Sequence, residues 1–180
     1  MRLSRNCRDH VLAVVLVCLT AVAFADEDTG WSNNNYVPPR EWKESTVDLP
    51  RWPEQDDLLE VSIGRGGDPF HYYIDPESIS ISDDRVVHYV LVIISSAGAW
   101  NTSFEGILCS KGEYRRYAYG SGRQWTPLAG SGWQRIIDDG KYSYRDTLYQ
   151  DYLCDPGGPN PDVSGILRRI RYQRDSFPGD

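Results

Sequence analysis

The sequence predicts an α+β domain, an antiparallel sheet of about five or six strands with two C-terminal helices and one disulfide. Three observations lead there. Between Leu58 and Tyr119 apolar residues alternate with polar ones in runs separated by short turns, which is the period of half-buried strands joined as hairpins. After Tyr144 the period lengthens to that of helices. Two cysteines, Cys109 and Cys154, fall at the ends of a predicted strand and a predicted helix.

The strands are taken in order. Leu59, Val61 and Ile63 alternate with polar neighbours, and Phe70, Tyr72 and Ile74 repeat the pattern. Ile79 and Ile81 follow the Asp75-Pro76 turn. Val86 to Ile94 is apolar on both faces, with Val86, Val90, Val92 and Ile94 on one and Val87, Tyr89, Leu91 and Ile93 on the other. A strand without a polar face belongs in the centre of a sheet covered on both sides. Asp83-Asp84 and Gly98 mark the turns around it, and strands at 101–109 and 113–119 complete the meander.

Two helices close the domain. Tyr144, Leu148 and Tyr152 recur at i, i+4 and i+8 before Cys154 and Pro156. Asp162 is placed as N-cap of the second helix, with Val163, Ile166, Leu167 and Ile170 as its apolar stripe. Arg168, Arg169, Arg171 and Arg174 gather toward its C-terminus. An anionic envelope component is one partner for them, but cations there already complement the helix dipole.

The start of the chain carries a different signal. Arg2, Arg5 and Arg8 precede the apolar run Val11 to Val22, and Ala23-Phe24-Ala25 offers small residues at a signal-peptidase site, so residues 1–25 read as a cleavable secretory signal ending at Ala25, with Asp26 as the mature N-terminus. The apolar run is shorter than the roughly 20 residues that span a bilayer, so no stable membrane span is expected after cleavage. Lipid attachment at Cys18 is the rival, disfavoured by the bulky Val17 before it. The expected organisation continues with an extended polar arm over 26–57, a globular domain over 58–174 and a flexible tail over 175–180. The arm is broken by Pro38, Pro39, Pro50 and Pro53 and carries Trp31, Trp42 and Trp52. Such aromatics dock onto the following domain or stand exposed as a ligand-binding segment.

Export changes the cysteine and charge balance. Cys7 and Cys18 leave with the signal, and an exported chain with one remaining pair reads as a disulfide, Cys109 to Cys154. The rival, a catalytic or metal-binding thiol, needs His or further Cys ligands at a spacing the sequence does not show. Removing Arg2, Arg5, Arg8 and Asp9 from 19 basic and 26 acidic side chains leaves 16 and 25, a net charge of −9. So acidic a chain repels phosphate backbones, which excludes nucleic acid as the expected partner.

Several stretches together resemble the cryptic neisserial protein-like family of proteobacterial envelope proteins. They are Asp75-Pro76-x-Ser78-Ile79, Phe104-Glu105-Gly106-Ile107-x-Cys109, Tyr114-x-x-Tyr117-Ala118-x-Gly120, Trp125, Trp133 and Leu148-Tyr149-x-x-Tyr152-x-Cys154-Asp155. The resemblance covers roughly residues 42–158 and departs from the family pattern after the second cysteine, where Asp155 precedes Pro156. It implies a secreted or periplasmic protein and supplies no catalytic residues.

Candidate chemistry is thin. His71 and His88 are the histidines left after cleavage, and either becomes a general base only if a carboxylate such as Asp75 or Glu105 orients it. Glu105 lies in a strand, where a carboxylate needs a partner, and Arg115 or Arg116 on the next strand is expected to form a structural ion pair with it. The glycine runs at 64–67 and 120–122 lack the features of phosphate or dinucleotide loops, and Asp83-Asp84 lacks the ligands of a calcium loop. No metal and no cofactor are expected. Trp100, Trp125 and Trp133 sit in turn-rich segments, and a groove edged by Trp125 and Trp133 is the expected contact surface; the alternative is that they cap the sheet against the first helix. The functional expectation is an exported, periplasmic envelope protein acting without catalysis, by binding an envelope component or supporting an assembly. The alternative is a periplasmic hydrolase built on His71 or His88 with a carboxylate.

Overall fold

The computed structural model describes residues 41–63, 69–137, 144–155 and 161–176; the expected secretory signal, the first part of the expected arm, the glycine run at 64–67 and the end of the expected tail lie outside them. Strands β1 (Leu59–Val61), β2 (Phe70–Ile81), β3 (Val86–Ser95), β4 (Trp100–Leu108), β5 (Glu113–Ser121) and β6 (Gln124–Pro127) form an antiparallel meander in sequence order. A short β7 (Gln134–Arg135) pairs with the start of β5, at Glu113 and Tyr114, while β6 pairs with its end. The α+β architecture expected from the alternation is therefore present, with one more short strand.

β3 shows why the sheet needs two covers. Val87, Tyr89 and Leu91 point into one apolar cluster, and Val90 and Val92 into another on the opposite face. Helices cover the first face. Helix α1 (Tyr144–Thr147) runs on as a π-helical segment, Leu148–Leu153. The sequence suggests an ordinary helical repeat here, but the wider π turn sends Leu148, Tyr152 and adjacent Leu153 all into the core. Helix α2 (Val163–Ser176) buries Ile166 and Ile170 beside them. Its N-cap is Asp162, whose Oδ1 accepts the Gly165 N–H at 2.9 Å. Cys109, just past β4, is bonded to Cys154, just past the π segment, so the disulfide ties the helical layer to the sheet.

The second face is covered by the described end of the arm. Residues 41–58 run over the sheet with little regular structure apart from a 3-10 turn at Gln55–Asp57. Val47 and Leu58 join the Val90, Val92, Phe104 and Ala118 cluster. Polar contacts hold this strap along its length. Trp42 Nε1 donates to the Asp84 carbonyl at 2.9 Å, the Ser45 N–H donates to Asp84 Oδ2 at 2.6 Å, and Trp125 Nε1 donates to the Pro50 carbonyl at 2.9 Å. Against the cost of burial, the Ser45, Ser82 and Val86 donors hold the Asp84 carboxyl below its ordinary range.

Two irregularities in the sheet have visible causes. In β2 the pairing with β3 stops at Asp75↔Val90 and resumes at Ser80↔His88. Pro76 has no N–H to give, so the strand bulges there. Ser78 Oγ repairs the ladder by accepting the Val90 N–H at 2.8 Å and donating to the Asp75 carbonyl at 2.6 Å, while Asp75 Oδ1 accepts the Glu77 N–H at 3.1 Å. The Asp-Pro-x-Ser stretch thus has a structural role. In β5 the register with β4 steps from Phe104↔Ala118 to Glu105↔Arg116, which makes Tyr117 an extra residue on the strap face.

Gly120 lets the strap lie flat. A Cβ there would meet the Trp52 ring at 2.7 and 2.8 Å. Gly120→Ala is expected to push Trp52 off the sheet and cost about 1–3 kcal/mol by overpacking. Denaturant melts followed by tryptophan emission check this, a displaced Trp52 giving a red-shifted native spectrum.

Candidate functional site

Glu105 is a heavily engaged polar group. It faces the helical layer from β4, opposite Tyr89 on β3 and Arg116 on β5, and is fully buried. Oε2 accepts from Tyr89 OH at 3.2 Å and Arg145 Nε at 3.2 Å; Oε1 accepts from Ser103 Oγ at 2.9 Å, Arg116 Nε at 3.1 Å and Arg145 Nη2 at 2.8 Å. Arg145 comes from α1 and meets the carboxylate as a two-pronged fork, with its guanidinium 4.1 Å from the Tyr114 ring centroid and 4.4 Å from that of Tyr144. Despite desolvation, Glu105 holds the Arg145 guanidinium above its ordinary pKa, and burial together with the Glu105 charge pushes the Tyr89 hydroxyl well up. A carboxylate has about four lone-pair directions. Five donors saturate them, so Glu105 has no lone pair left open to a substrate.

Of the two arginines expected beside Glu105, Arg116 meets it and Arg115 does not. Adjacent strand residues point to opposite faces, and Arg115 lies on the strap side, where Nη1 bonds Glu44 Oε2. Arg145, 40 residues beyond Glu105, takes the place the sequence offered to Arg115.

Glu44 organises the other face. Besides Arg115, it accepts from Tyr117 OH at 2.8 Å and Trp133 Nε1 at 3.2 Å. Trp133 stands edge-on to Trp42 with centroids 5.8 Å apart, and Lys111 Nζ lies 4.8 Å over the Trp42 ring. Trp125 packs against Trp52 at 5.3 Å and Phe104 at 6.4 Å. Trp125 and Trp133 therefore meet the strap rather than edging an open groove or capping the sheet against α1, and both indole N–H groups are taken.

The histidines lie far apart. His71 pairs in register with Ile94, six positions along β3 from His88, a separation of about 20 Å at strand rise. His71 is exposed on the sheet flank, with Nδ1 3.0 Å from Glu60 Oε1. The orienting carboxylate is neither Asp75 nor Glu105. His88 is buried under the strap between Phe104 and Tyr117, at 5.9 and 5.4 Å. Burial lowers its pKa against the opposing pull of Asp84 and Glu44. The unfolded chain therefore binds a proton that the folded chain resists, and stability falls as the pH drops below about 6.5 toward the depressed folded value. His88→Gln is expected to flatten the dependence of melting temperature on pH between about 5.5 and 7; an unchanged slope contradicts it.

The arginines of α2 divide. Arg168 and Arg171 are exposed at the surface, Arg169 Nε donates to the Tyr152 carbonyl at 2.8 Å and so ties α2 to the π segment, and the Arg174 side chain lies outside the described residues. Among the described residues no group of three or more His, Cys, Asp or Glu side chains is placed to hold a metal ion, and no helix is long and apolar enough to cross a membrane.

An open groove lies among the described residues at the end of the sheet where the strap, the start of β4 and the β5–β6 turn meet. It encloses about 520 Å³ and is lined by residues 52–56, Trp100 and Arg123. Trp100 is 37% exposed, less than Leu49, Phe70, Tyr119, Ile137 or Tyr172. Arg123 Nη2 reaches Glu54 Oε1 of the strap at 2.5 Å. The sequence marks Trp100 as a turn-flanking tryptophan, but the strap residues and Arg123 that join it are distant in the chain.

Over 189 aligned residues the chain is 25% identical to Cryptic neisserial protein 1 of Neisseria gonorrhoeae (strain ATCC 700825 / FA 1090), covering 89% of each. No solved structure matches it. The profile of the CNP1-like family matches residues 37–171, which takes in the strap, the whole sheet and most of α2. The chain that carries this strapped, disulfide-tied sheet belongs to the CNP1-like family.

Proposed function

We propose that the mature chain is an exported cell-envelope protein that acts by binding an envelope component, without catalysis. The observation that carries this reading is the contrast between engaged and open groups. Glu105 is saturated by donors, His88 is packed under the strap, and His71 sits on an exposed flank. The groove at Trp100, by contrast, presents an aromatic surface and polar side chains to solvent. Ligand sites combine these features in a concave surface. The secretory leader at residues 1–25 and a single disulfide pair support export to an oxidising compartment.

Export is tested by mass spectrometry of the protein recovered from the periplasmic fraction. The expected N-terminus is Asp26, without lipid. Retention of residues 1–25, or a diacylglyceryl group on Cys18, overturns that part of the reading.

A further inference from the structure

We infer that the groove at Trp100 is a saccharide-binding site, taking a neutral sugar whose apolar ring face lies on an indole and whose hydroxyls meet Glu54, Gln55, Asp56 and Arg123. The inference rests on the binding reading above and gives the ligand a chemical class.

The chemistry of the lining selects among ligands. A simple cation calls only for acceptors and an anion only for donors. Here the acceptors are the Glu54 and Asp56 carboxylates, the donor is the Arg123 guanidinium, and the Gln55 amide is both. A row of sugar hydroxyls, each donor and acceptor at once, fits this mixture. Anionic ligands are further opposed by the chain's net charge of −7. A purely apolar ligand would leave these polar groups desolvated and unpaired. The two tryptophans supply large, rigid surfaces with a polar edge.

The groove is also prepared in advance, which lowers the ordering cost of binding. Trp52 is fixed between Gly120 below it and Trp125 beside it, at 5.3 Å. Gly122 and Arg123 form the two-residue turn between β5 and β6 with φ of 57° and 63°. Positive φ at both positions suits the hairpin, but a side chain at the second one is unfavourable. The arginine placed there reaches across to Glu54 and closes one side of the groove.

The test uses the mature chain and calorimetric titration with four neutral probes, chitotetraose, cellotetraose, maltotetraose and mannotetraose, alongside choline chloride and inorganic phosphate. Saturable binding of at least one tetrasaccharide is expected, weakened at least tenfold by Trp100→Ala and several-fold by Arg123→Gly. Glycine suits the turn and Trp100 is partly exposed, so both variants should keep the wild-type melting temperature. Binding of no tetrasaccharide, affinity indifferent to Trp100→Ala, or occupation of the groove by choline or phosphate instead overturns the inference. The same proteins are sedimented with isolated envelopes. Trp100-dependent retention without tetrasaccharide binding removes the saccharide and leaves the binding reading standing, whereas retention that ignores Trp100 removes the groove from both.

Discussion

Glu105→Ala is expected to destabilise the domain by about 3–5 kcal/mol, a range typical of removing one partner from a buried charge network. The variant strands Arg116 and Arg145, whose side chains are 25% and 12% exposed, against a layer that also holds Tyr89. The loss comes from uncompensated burial rather than from the value of the pair itself, since ion pairs replaced as a unit by apolar residues often cost little. Glu105→Leu combined with Arg145→Leu is therefore expected to recover part of the loss. Urea melts of the single and double variants measure both effects, and a cost below about 1 kcal/mol for Glu105→Ala would show that the node contributes nothing to the fold.

The disulfide carries a loss of similar size. Cys109 and Cys154 are 45 residues apart in sequence, with Cα atoms 5.6 Å apart, and closing such a loop restricts the unfolded chain by about 4 kcal/mol in the entropy treatment. Cys109→Ser with Cys154→Ser, which leaves no stray thiol, should lower the unfolding free energy by about 2–5 kcal/mol. The disulfide lies where β4 meets the π segment, so the helical layer is expected to loosen first. Faster amide exchange in 144–153 than in β3 is the signature, and uniform acceleration would contradict it.

The sheet was legible because its signals are local. The two-faced apolar run of β3, the turn at Asp83-Asp84 and the N-cap at Asp162 each depend on neighbours within a few residues. The node around Glu105 was only half legible. Strand order placed β5 beside β4, but the bulge at Tyr117 decides which arginine faces Glu105, and no alternation rule reveals a bulge. Arg145 was hidden because its role depends on how α1 packs, not on the residues around it. The tryptophans show the same limit. Exposed turns were a reasonable place to seek a contact surface, yet Trp125 and Trp133 are taken by Pro50 and Glu44 of the strap. A proline-broken polar arm carries no periodicity to show that it forms the second cover of the sheet. Trp100, in the same class of segment, stays partly exposed beside strap residues 52–56, which line the groove with it.

Retention of the mature chain by isolated cell envelopes, compared between wild type and Trp100→Ala, tests the central claim most directly. The expected result is saturable co-sedimentation of the wild type, loss of at least nine-tenths of it in the variant at equal melting temperature, and no release of soluble fragments from the envelopes over time. Equal retention of the two proteins, or fragment release that stops on His71→Ala or His88→Gln, would contradict the account.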